Sequence, residues 1–230
     1  MPVVNYAHRG ASEYYPENTL WSFYAGMEMG ADGIETDIQR TKDGVLVLHH
    51  DDTLERVAGK TGSIRDYTYE QLLEMDFGVF KGERFAGEKI VTLDTFLTHF
   101  GQRNLTLALE IKQSGVEKET LDCLARHSCS AKVTVTSFLW DSVQTIRALD
   151  DRIDVGYLTE AITVEKLDVL EKNRIGQICP RVDLVQPKDM ELARGRGFAV
   201  RFWGIKNVEL MERALELNGD GMTVNFPDRL

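Results

Sequence analysis

The feature that most restricts what this chain can become is a repeated order of short runs rich in branched aliphatic residues, each followed by an amphipathic stretch of helical period. Strand candidates are Val3 to His8, Gly33 to Ile38, Val45 to His50, Leu105 to Lys112, Lys132 to Ser137, Ile153 to Leu158, Gln177 to Cys179, Ala199 to Trp203 and Gly221 to Val224. Helix candidates lie between most of them: Asn18 to Met29, Thr92 to Phe100, Val116 to His127, Trp140 to Leu149, Val164 to Lys172, Lys188 to Arg194 and Asn207 to Leu217. Strands joined through helices run parallel, and about eight such units closing on themselves make a TIM-type (β/α)8 barrel. The alternative, a doubly wound open sheet, is weakened because no Gly-rich nucleotide fingerprint opens any helix. With 230 residues, 43% of them hydrophobic, one domain over residues 1–230 is expected.

Two places break the alternation. Only Gln39-Arg40-Thr41-Lys42-Asp43-Gly44 separates Ile38 from Val45, too few residues for a helix, so the link is a hairpin at Asp43-Gly44 or an extended crossover. The other break runs from about Asp51 to Lys89, with five glycines and the aromatics Tyr67, Tyr69, Phe77, Phe80 and Phe85. It follows His50, where barrel loops carry function, and reads as a small insertion after the third strand, over the barrel mouth.

Charge and targeting exclude several classes. The formal net charge of −10 argues against nucleic acid or an anionic membrane bound through bulk charge, so an anionic substrate would need a local cationic site. No stretch approaches 18 uninterrupted apolar residues and the start has no basic leader, so neither membrane insertion nor secretion is expected and the reading is cytoplasmic. Cys123, Cys129 and Cys179 match no metal or redox spacing and read as buried, reduced thiols.

Against this frame two charged pairs stand out, Glu35-Thr36-Asp37 and Glu110-Ile111-Lys112. Side chains at i and i+2 of a strand share a face. Leu105, Leu107, Leu109 and Ile111 therefore face one way, and Thr106, Ala108, Glu110 and Lys112 the other. That division suits a strand with helices outside and a functional mouth inside. Glu35, Asp37 and Glu110 converging there would make an all-oxygen site for a hard divalent cation, Mg²⁺ or Ca²⁺.

Histidines end two neighbouring strand candidates: His8 before Arg9-Gly10, and the pair His49-His50 before Asp51-Asp52. A lone histidine is more often structural, but two at strand ends beside a carboxylate-bearing strand could flank one mouth as general base and general acid. His50 shares the side of Leu46 and Leu48, and His49 that of Val45 and Val47, so alternation does not choose between them. Arg9 and Lys112 could be surface ion-pair partners, yet they also suit phosphate, one by its fork and the other as a point charge. Trp203 is either core or an apolar wall for the organic part of a substrate. Pro16-Glu17-Asn18-Thr19 reads as a helix start capped by Asn18 or Thr19.

Taken in order, His8-Arg9-Gly10, Pro16-Glu17-Asn18-Thr19, Gly30-Ala31-Asp32-Gly33-Ile34-Glu35-Thr36-Asp37, Thr41-Lys42-Asp43-Gly44, His50-Asp51-Asp52-Thr53-Leu54-Glu55-Arg56, Leu109-Glu110-Ile111-Lys112, Ser137-Phe138 and Asp220-Gly221 resemble the glycerophosphodiester phosphodiesterase family from end to end. The resemblance implies a barrel with an insertion after the third strand and one divalent cation on Glu35, Asp37 and Glu110. It implies that His8 and His50 are the acid/base pair, choosing His50 over His49, and that Arg9, Lys112 and Trp203 contact the substrate. The chain departs from the family pattern at Val91, where a proline is usual, at Gly204-Ile205-Lys206, where a threonine is common, and at Asn225, where an aspartate is frequent.

The expected activity is metal-dependent hydrolysis of a small-molecule glycerophosphodiester to glycerol 3-phosphate and an alcohol. A lysophospholipase D or glycerophosphate-polymer phosphodiesterase on the same site, with Phe77, Phe80 and Phe85 lining a lipid channel or simply packing under the loop, is one alternative. A catalytically silent barrel that only binds phosphodiesters is another.

Overall fold

The computed structural model describes residues 3–230. In chain order its strands are β1 (Val4–His8), β2 (Gly33–Arg40), β3 (Leu46–Leu48), β4 (Thr106–Ile111), β5 (Lys132–Ser137), β6 (Asp154–Thr159), β7 (Gln177–Pro180), β8 (Ala199–Ile205) and β9 (Gly221–Val224). Eight of them form a closed parallel barrel in the order β1-β9-β8-β7-β6-β5-β4-β2, with β2 pairing back onto β1. The strand at Leu46–Leu48 is not a barrel member. It lies antiparallel outside β2, with Ile38 opposite Leu48, so the short link before it is a hairpin. Thr41 N–H bonds the Val45 carbonyl at 2.9 Å, and a two-strand turn is what six residues can span, whereas a parallel crossover needs a dozen or more.

Helices Leu20–Glu28, Leu93–Phe100, Glu117–His127, Trp140–Leu149, Val164–Lys172, Pro187–Gly195 and Val208–Glu216 surround the barrel. Thr19, not Asn18, caps the first: its Oγ1 accepts from the Ser22 N–H at 3.3 Å. Register then fixes the site. Asp37 lies opposite Glu110 across β2 and β4, and His8 opposite Glu35 across β1 and β2. Ile34, Ile38, Leu107, Leu109 and Ile111 point outward into the main apolar core, which sends Glu35, Asp37 and Glu110 inward.

The segment after β3 carries two short helices, Glu55–Ala58 and Tyr69–Leu73, around a separate small core that includes Val47, Leu54, Ile64, Leu72 and Phe77. Asp76 ties its far end: one carboxylate oxygen accepts from the N–H groups of Gly78 and Val79, both at 2.8 Å, and the other from Gly87 at 2.6 Å. The segment docks on the loop after β1, where Lys81 Nζ donates to the Ser12 carbonyl at 2.7 Å.

Candidate active site

At the end of β1 the chain turns sharply. Arg9 and Gly10 adopt left-handed conformations, φ +56° and +83°. A Cβ on residue 10 would meet the Ser22 backbone at 2.3 Å, so only glycine fits. The strained Arg9 backbone is held through its carbonyl, which accepts from the Asn18 N–H at 3.0 Å and Ser22 Oγ at 2.7 Å.

The inward register brings ligand atoms of Glu35, Asp37 and Glu110 within 4.8 Å of one another, all three residues being buried. Asp37 Oδ2 lies 3.4 Å from Arg9 Nε and accepts from Asn18 Nδ2 at 3.1 Å. Glu110 Oε1 pairs with Lys112 Nζ at 3.0 Å. Among the described residues, Glu35 pairs only with the His8 ring, 3.8 Å away. Burial and the charges of Asp37 and Glu110 push the Glu35 carboxyl well above the usual carboxylate range, and burial with Asp37 also raises Glu110. Burial pushes Asp37 the same way, but Arg9, His50 and Lys112 win and hold it at about 2. Glu35 Oε2 and Asp37 Oδ1 are buried with no hydrogen-bond partner among the described residues. Two orphaned carboxylate oxygens in an all-oxygen cluster are the donor set of a hard divalent cation.

His8 and His50 flank this cluster. His8 Nδ1 and Asn225 Oδ1 are 2.6 Å apart, so with Nδ1–H donating, Nε2 is left free toward Glu35. Burial, with help from Arg9, lowers the His8 imidazolium to about 3. His50 Nδ1 donates to Asp51 Oδ1 at 2.8 Å. Partial burial would raise Asp51, but hydrogen bonds from Arg56 and His50 hold it well below its ordinary value. Arg56 continues the chain of charges, binding Asp51 through Nε at 2.6 Å and Glu17 through both amino groups at 2.7 Å, and Glu17 in turn binds Arg9 Nη1 at 2.9 Å. One network therefore ties Arg9 on one side of the mouth to His50 on the other.

The pocket above has a volume of about 250 Å³. His8, Arg9, Glu35, His50 and Glu110 line it together with Phe138, Leu158, Trp203, Ile205 and Lys206. Trp203 is fixed by its indole N–H, 2.9 Å from the Thr159 carbonyl and 3.1 Å from that of Cys179, and its ring meets Phe138 edge-on at 5.1 Å. Asp37 and Lys112 stand behind the lining and reach it through their neighbours. His49 is elsewhere: its Nε2 lies 3.1 Å from the Thr53 carbonyl and its ring packs against Phe77.

The structure thus assembles Glu35, Asp37, Glu110, His8, His50, Arg9, Lys112 and Trp203 around one mouth. It adds residues to which the sequence reading gave no role at the site: Asn18, read there as a possible helix cap and here holding Asp37, the Glu17–Arg56–Asp51 network, Phe138, and Arg201, buried inside the barrel. A lone arginine within Ala199 to Trp203 was the one sequence signal for the last. Asn225, seen first as a departure from a family pattern, is the partner of His8. Phe77 and Phe85 are buried and absent from the pocket wall, so they pack rather than line a channel.

Comparison with known proteins agrees with this geometry. The model of the glycerophosphoryl diester phosphodiesterase family matches residues 8–229. A glycerophosphodiester phosphodiesterase of Caldanaerobacter subterraneus subsp. tengcongensis is 31% identical over 235 residues, covering 100% of this chain and 97% of that protein. Among solved structures, an Oleispira antarctica phosphodiesterase in complex with the product sn-glycerol-3-phosphate superposes with a TM-score of 0.91 at 26% identity, covering 100% of this chain and 95% of that one. The Thermotoga maritima glycerophosphodiester phosphodiesterase gives 0.78 at 26% identity, over 99% of this chain and 96% of that one.

Proposed function

The chain belongs to the glycerophosphoryl diester phosphodiesterase family, and from that premise we propose that it hydrolyses glycerophosphodiesters to glycerol 3-phosphate and an alcohol, using one divalent cation, Mg²⁺ or Ca²⁺, and a histidine pair. One observation carries the reading. Three buried carboxylates with ligand atoms within 4.8 Å share a pocket with His8, His50 and Arg9. A phosphate monoester product in the Oleispira relative supports the substrate class.

Glu35, Asp37 and Glu110 would hold the cation, which when bound polarises a phosphoryl oxygen and offsets developing charge. Arg9, in the pocket lining, offers the phosphate a fixed positive charge, while Lys112 behind the lining balances Glu110. His8 is the general base: with Nδ1–H engaged by Asn225 Oδ1, its free Nε2 takes the proton of the attacking hydroxyl. His50 is the general acid: Asp51 Oδ1 holds its ring through Nδ1 at the pocket wall, where it gives a proton to the leaving alkoxide. Trp203 and Phe138 form the apolar wall for the organic part.

The test is ³¹P NMR of the purified protein with glycerophosphocholine, glycerophosphoethanolamine and lysophosphatidylcholine. Growth of a glycerol 3-phosphate signal from the first two is expected. Release of phosphocholine instead, or activity on the lysolipid alone, would overturn the reading. A transient cyclic phosphate signal identifies the glycerol 2-hydroxyl as nucleophile.

A further inference from the structure

Charge pairing inside the barrel is incomplete unless Arg201 is counted. Asp37 has Arg9 beside it and Glu110 has Lys112, but Glu35 lacks a permanent cation in contact. Arg201 on β8 is 2% exposed. Its two amino groups bond neutral hydroxyls, Nη1 to Thr223 Oγ1 at 2.7 Å and Nη2 to Thr136 Oγ1 at 3.3 Å, while Nε has no partner. Its guanidinium carbon stands 5.3 Å from the centre of the Tyr6 ring. A guanidinium cannot shed its proton, so a fully buried one needs compensating negative charge in a low dielectric. Arg201 lines the same pocket as Glu35 and Glu110, and its charge and that of Glu35 act on one another.

We propose that Arg201 is a positioning residue that serves as the built-in counter-cation of Glu35: it lets the three-carboxylate floor fold without metal and holds divalent-cation affinity down. A fixed positive charge at the barrel floor neutralises the cluster when no ion is present and repels the ion when it arrives. The two consequences have opposite signs for one substitution, which a packing role does not produce. Loss of packing lowers stability and loosens the metal; loss of the counter-charge lowers metal-free stability and tightens the metal.

The inference rests on the carboxylate cluster holding a divalent cation, and the experiment separates the two. The metal-free full chain is titrated with Mn²⁺, a spectroscopic probe that carboxylate sites accept, and its Tm is recorded with and without the ion. Arg201→Met is expected to melt lower without metal and to bind Mn²⁺ roughly tenfold tighter, about 1.4 kcal/mol. Arg201→Lys, which keeps the charge, should bind as the wild type does. Unchanged or weaker Mn²⁺ binding in Arg201→Met overturns the counter-cation role. Should Arg201→Met not fold without metal, Glu35→Gln decides: a lower metal-free Tm supports the pairing, whereas an unchanged or higher one overturns it. If wild type binds no Mn²⁺, the metal-site reading itself fails and the inference with it.

Discussion

Two adjacent histidines have opposite roles in this molecule. His50 opens into the pocket with Asp51 behind it, whereas His49 is 3% exposed and serves the small core beneath the insertion. His50→Ala is expected to lower kcat by about 10² or more with a smaller change in KM. His49→Ala should leave kcat nearly intact and lower the Tm, because it removes a buried ring. Steady-state kinetics beside thermal melts check both, and equal losses of kcat would contradict the assignment. Strand alternation could not choose between them, since β3 ends at Leu48 and both histidines lie past it. The carboxylates were legible because they sit within regular strands, where i and i+2 share a face. Asn225 was legible only as an oddity, its bond to His8 spanning most of the chain. Asn225→Ala should lower kcat about tenfold or more while KM holds, since it frees the ring that must accept the proton; an unchanged kcat would remove Asn225 from the account.

At the scale of elements, the insertion supports the site without lining it. Its aromatics were visible in the sequence, but their direction was not: Phe77 enters the segment's own core and Phe85 packs against Tyr15 and Trp21. Phe77→Ala should therefore cost about 3–5 kcal/mol of stability by urea melt and leave the ranking of diester substrates unchanged. Phe138→Ala, in the pocket wall, should shift relative kcat/KM among those substrates by an amount near 1–3 kcal/mol. The reverse pattern would return substrate choice to the insertion. Asp76 gives the same segment a pH dependence. Burial opposes ionisation there, but the N–H groups of Gly78, Gly87 and Val79 hold its carboxyl below the ordinary value. A depressed folded pKa contributes stability that is complete above the unfolded value of about 3.9 and is lost as pH falls through the folded one. Proteolytic cleavage within residues 76–89 should thus rise as the pH drops below about 4, and Asp76→Ala should show it already at neutral pH. The hairpin at β3 shows a further limit of legibility, because period 2 identifies a strand but not whether a barrel or its rim receives it.

Across the whole molecule, repeated strand–helix order was enough to predict the closed barrel, since parallel strands with helical crossovers have few ways to bury both faces. What order could not show is the electrostatic design of its centre. A chain of net charge −10 gathers Arg9, Lys112 and Arg201 around three buried acids, and this arrangement depends on register between strands far apart in sequence. The central claim is that Glu35, Asp37 and Glu110 hold a catalytic divalent cation. Its most direct test is glycerol 3-phosphate release from glycerophosphocholine by chelator-stripped protein, before and after addition of Mg²⁺ or Ca²⁺, for wild type and Asp37→Asn. Activity lost on stripping, restored by one of the ions in wild type and not restored in Asp37→Asn is the result expected; full activity in the stripped wild type would contradict the account.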